Sequence, residues 1–132
     1  MIGTDLVGYL TSLRSRLDYL AQHSEIWTMN AVSGDWKVLF LPHTESPPDE
    51  VSSALGWHVK SLGLEEEVLA LLYPDSRGNG YGMRRFNDDQ RLDFSLLEEE
   101  GDVHFAHARG FIAKTSSTEV KRLKTLLLKA YR

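Results

Sequence analysis

The chain has 132 residues, 42% of them hydrophobic and 26% charged, with a formal net charge of −4. That length fits one domain, that balance fits a folded chain, and that charge argues against a broadly basic nucleic-acid coat. Cysteine is absent, which excludes disulfides, thiolate metal sites and cysteine nucleophiles together.

Leu6, Tyr9, Leu10, Leu13, Leu17 and Leu20 recur at helical spacing and predict an amphipathic N-terminal helix, with Thr4 as its N-cap. Asp5, Arg14 and Arg16 set this segment apart from a secretory signal. No apolar run reaches the ~18–20 residues of a membrane span. The expectation is an intracellular, cytoplasmic protein with no membrane contact.

Two short strands follow in "IWTMNAVSGDWKVLFLP", joined at Ser33-Gly34-Asp35. Pro47 and Pro48 suit the entry of a second helix, with Asp49 and Glu50 in its first turn. Val51, Leu55, Val59 and Leu62 would form its apolar stripe, and Gly63 its end. "EEVLALLYPD" is the most apolar strand; "SRGNG" reads as a hairpin turn and "YGMRRF" as the returning strand. "NDDQRLDFSLLEEEG" predicts a loop with a short helical piece. "GDVHFAHARGFIAK" reads as a strand, and Ser116 with Glu119 as a capping box opening a last helix that buries Val120, Leu123, Leu127 and Ala130. Together these elements predict an α/β fold: a mixed sheet with helices packed on it, behind an N-terminal amphipathic helix. Residues 1–30 would be lead-in helix and linker.

The sequence contains no GxSxG, HExxH, P-loop or GxGxxG. His104 and His107 stand at i and i+3, which on a straight strand sends them to opposite sides and argues against a shared metal. On such a strand Val103, Phe105, His107, Arg109 and Phe111 would share a face, with His104, Ala106, Ala108, Gly110 and Ile112 on the other. Arg84 and Arg85 also alternate, so only one of them can meet a given site. Lys114, with the start of the last helix, could meet an anion, although its neighbouring hydroxyls are better explained as helix caps.

The order of "GYGMRRFN", "RLDFSLLEE" and "HARGFIAK" before a closing helix resembles the C-terminal domain of DHH-family phosphoesterases, over residues 36–131. "GMRR" stands for the family's S-L-R-S, "LDFSLL" for its D-[LV]-S-x-[IL], and "ARGFIAK" for its A-A-G-F, while "GDVHFAH" replaces the usual G-G-G-H. The spacing of His107 to Gly110 resembles the exonuclease and exopolyphosphatase-related branch. The resemblance implies the substrate-holding half of a metal-dependent phosphoesterase. Arg84 and His107 would hold phosphate oxygens, Gly110 would admit the substrate, Lys114 would add an anion contact, Arg109 would be a further substrate contact, and His104 would be the reserve for His107. It also implies that the manganese or magnesium belongs to a separate DHH domain, and that this chain itself holds no cofactor. The partner domain would lie on the same or another chain, and the substrate would be a nucleotide, oligonucleotide or polyphosphate. The rival expectation is a non-catalytic interaction or dimerisation module, a homodimer included, in which the first helix packs on a partner.

Overall fold

The computed structural model describes residues 14–15, 18–42, 51–75 and 80–131. Six strands form one sheet in the order β1-β2-β3-β4-β6-β5. They are β1 (Glu25–Met29), β2 (Trp36–Phe40), β3 (Val68–Pro74), β4 (Tyr81–Arg85), β5 (Val103–Ala106) and β6 (Ile112–Thr115). Helix α1 (Val51–Ser61) joins β2 to β3, the 3-10 turn η1 (Phe94–Leu97) follows β4, and α2 (Val120–Ala130) closes the chain. Only β2 and β3 are parallel, and α1 supplies their crossover; every other pair is antiparallel. The fold is therefore α/β on a mixed sheet.

The central strands are apolar on both sides because both are covered. In β2, Trp36, Val38 and Phe40 join the layer that receives η1 and α2, while Leu39 joins the layer under α1. Phe94 and Leu97 of η1 and Leu123, Leu126, Leu127 and Ala130 of α2 complete the first layer. Leu55 and Val59 of α1 complete the second, and Leu20 from the helical residues 18–23 lies there too. Leu20 thus packs on the chain's own core. The other leucines of the predicted first helix, and Pro47 to Glu50, lie outside the described residues. Among those residues no helix is long and apolar enough to cross a membrane.

Three local readings need correction. The stretch from Val103 to Thr115 is a hairpin, not one straight strand: β5 ends at Ala106, and His107–Phe111 turn back into β6. The His107 amide donates to the Ile112 carbonyl at 3.0 Å and the Gly110 amide to the His107 carbonyl at 2.8 Å. Gly110 sits at φ +75°, the left-handed conformation such a turn requires. Face assignments that carry one alternation through His107, Arg109 and Gly110 therefore fail.

The capping box does not form either. The α2 N-cap is Glu119, without a side-chain cap bond. Thr115 remains in β6, and its hydroxyl and the Ser116 amide both donate to the Asp102 carbonyl. The chain then turns through Ser117, whose hydroxyl accepts the Glu119 amide at 3.2 Å. Finally, Val120, the first residue of α2, is 42% exposed, whereas Leu126, outside the predicted stripe, is buried. Leu62, one step past α1, is likewise exposed.

Candidate anion site on the open half of the sheet

Strand alternation parts the two adjacent arginines. Arg85 turns into the α2 side and is buried, donating through Nε to Asp88 Oδ1 at 2.8 Å and through a terminal nitrogen to the Leu92 carbonyl at 3.0 Å. Arg84 turns to the α1 side and is exposed. There it pairs in register with Leu71 on one side and Ile112 on the other. The next row on that side runs Tyr73, Gly82, Lys114 and Phe105 across four strands. Arg84 and Lys114 are therefore diagonal neighbours on adjacent antiparallel strands, a relation that sets Cβ atoms about 7–8 Å apart.

Helix α1 covers this side of the sheet only over β2 and β3, packing on β3. Over β4, β6 and β5 no described element covers this side: Phe105 is 44% exposed, and Ile112 and Lys114 are half-buried. Gly82 is what keeps the row flat. A Cβ there would stand 2.7 Å from the Tyr73 ring, so the ring lies across the glycine. Burial raises the Tyr73 phenol pKa, while the nearby Arg84 charge works against the rise and Asp75 adds to it. Arg84 thus acts electrostatically on the tyrosine.

Rings flank the cations on the hairpin side. His107 lies 4.2 Å from Phe111 between centroids, and 6.3 Å edge-on from Phe105. Its Nδ1 accepts the Arg109 amide at 3.1 Å. In the neutral ring the proton therefore sits on Nε2, which makes that nitrogen a donor without ionisation. Phe111 continues into a cleft of about 400 Å³ lined by Gly56, Leu71, Arg84, Arg85, Phe86, Asn87, Asp88 and Phe111.

The charges divide by partner. Arg85, Arg91, Arg122 and Lys129 each meet a carboxylate. Arg84 and Lys114, like Lys37, Lys60, Arg109, Lys121 and Lys124, have no ion-pair partner among the described residues. Unneutralised cations beside rings suit an anion that carries a planar or apolar group: guanidinium can grip two oxygens at once, and ammonium serves as a point charge.

Of the residues singled out from sequence, Arg84, Lys114 and His107 come together here. Arg109 is exposed at the turn and contributes its amide to His107. His104 stands at the register irregularity of the edge strand β5, exposed, away from the cleft lining. Gly110 is buried, and the space a Cβ would take is filled by Asp93, whose Oδ1 lies 2.1 Å from that position. Its lack of a side chain thus serves Asp93, which caps η1 through the Ser95 amide at 3.1 Å. Tyr73 and Asn87 were missed from sequence. The signal for Tyr73 was a glycine paired across from an aromatic, visible only once the strands are in register. Among the described residues no group of three or more histidine or carboxylate side chains could hold a metal. Neither a protein-family model, nor a curated protein, nor a solved structure matches this chain.

Proposed function

We propose that this chain holds phosphate groups of a nucleotide, oligonucleotide or polyphosphate on the open half of its sheet, as the substrate-binding part of a DHH-type phosphoesterase. The observation that carries the reading is the diagonal pair Arg84 and Lys114, both on the α1 side and both without a carboxylate partner among the described residues. The motif order from "GMRR" to "ARGFIAK" supports it, since Arg84 falls where the family's S-L-R-S arginine stands. Nε2 of His107 would add a donor to a third oxygen. Water attack on phosphorus would belong to a manganese- or magnesium-bearing domain, in an intracellular, cytoplasmic setting.

Heteronuclear NMR titration with pyrophosphate and with a nucleoside monophosphate tests the binding claim. Amide shifts should concentrate at residues 82–85 and 105–114; shifts elsewhere, or none, would overturn it. The division of labour has its own test. The purified chain with manganese should bind without turnover, and sustained hydrolysis by the chain alone would contradict a purely substrate-holding role.

A further inference from the structure

We infer that the cleft beside Arg84 is a nucleobase subsite whose rim favours guanine. This rests on the phosphate-holding reading, because Arg84 is the shared boundary between phosphates on the sheet and a base in the cleft. At about 400 Å³ the open cleft falls within the range of small-ligand pockets, and Gly56, Leu71, Phe86 and Phe111 supply the apolar part of a lining completed by charged and amide side chains. That apolar part can meet the face of a base, which a bare polyphosphate lacks.

The polar rim is built from Asn87 and Asp88, consecutive residues in the left-handed region at φ 55° and 52°. Neither is a glycine, so both conformations cost energy and are held in place by neighbours. Asn87 Nδ2 donates to the Glu65 carbonyl at 3.2 Å, which leaves Oδ1 as an acceptor. Asp88 spends Oδ1 on Arg85, 2.8 Å from Nε and 2.7 Å from a terminal nitrogen. Its Oδ2 has no partner among the described residues. The rim thus offers an amide oxygen from Asn87 and a carboxylate oxygen from Asp88, on consecutive residues, as acceptors. Guanine presents N1–H and its 2-amino group as adjacent donors. Adenine sets one amine beside a ring nitrogen acceptor, which a carboxylate repels.

The test compares the affinity of the full chain for GMP, AMP and inorganic pyrophosphate by calorimetry. GMP should bind about tenfold tighter than AMP, the scale of one hydrogen bond to a charged group. Asp88→Asn should pull that ratio toward one. Gly56→Leu gives an independent probe, because a Cβ there meets only the Phe86 ring at 3.8 Å and the helix gains a better former. Its side chain should occupy the cleft and weaken GMP severalfold while leaving pyrophosphate unchanged. Should Asp88→Asn unfold through loss of the Arg85 contact, the wild-type ratio and Gly56→Leu decide. Equal affinity for GMP and AMP, or GMP binding untouched by Gly56→Leu, would overturn the base subsite while pyrophosphate binding left the phosphate reading intact. Binding of none of the three would overturn both.

Discussion

Adjacent Arg84 and Arg85 show how much one residue step decides in a strand. Removing Arg85 strands the buried Leu92 carbonyl and frees Asp88, so Arg85→Ala should cost about 1–3 kcal/mol in urea denaturation. Arg84→Ala removes an exposed, unpaired side chain and should change stability by less than about 0.5 kcal/mol. Equal losses in the two variants would contradict the opposed placement. Gly110→Ala should also destabilise, by at least about 1–3 kcal/mol, because a positive φ is compounded by overlap with the Asp93 carboxylate. A variant as stable as the wild type would refute the Asp93 explanation. The arginine split was legible from period-two alternation alone. The reason for Gly110 was not, because Asp93 is seventeen positions away and meets it only through the fold.

At the scale of elements, two contacts set the acid side of the stability curve. Arg122 on α2 meets Asp102 through two nitrogens and also reaches Glu100, which Lys129 pairs as well. These bonds, to Arg122 for Asp102 and chiefly to Lys129 for Glu100, hold both carboxylates below their ordinary pKa values. Their stabilisation is present above the unfolded carboxylate range and is lost as pH falls through the lower folded values. His58 on α1 behaves differently: burial lowers its pKa below the ordinary 6.5. Its Nε2 lies 3.2 Å from the Ser24 hydroxyl, which ties α1 to the segment before β1. The unfolded state protonates first, so stability is full above about 6.5 and falls as pH drops below it toward the folded value. Denaturation midpoints measured from pH 7.5 to 5.5 should decline in the wild type and flatten in His58→Leu. A flat wild-type profile over that range would contradict a neutral buried His58. Helices α1 and α2, the glycine turn before β2 and η1 were readable from periodicity and turn chemistry. The β5–β6 hairpin was hidden because "VHFAHARGFIA" holds no Asn, Asp, Ser or Pro to signal a turn; only the glycine marked it.

For the whole molecule, the informative feature is asymmetric coverage. Among the described residues, the sheet side under η1 and α2 is filled from β1 to β6, whereas α1 covers only the β2–β3 half of the other. The mixed α/β class followed from the order of elements in sequence. The open half did not, since it depends on β6 entering the sheet between β4 and β5, a long-range pairing no local pattern encodes. That pairing alone makes Arg84 and Lys114 neighbours, thirty positions apart in sequence. The central claim is that these two cations hold phosphate. Calorimetric titration of pyrophosphate into the wild type, Arg84→Ala, Lys114→Ala and the double variant tests it most directly. Each single change should weaken binding about tenfold, as expected for a charge-assisted hydrogen bond, and the double variant should lose it with an unchanged melting temperature. Wild-type affinity in the double variant, or no binding by the wild type, would contradict it.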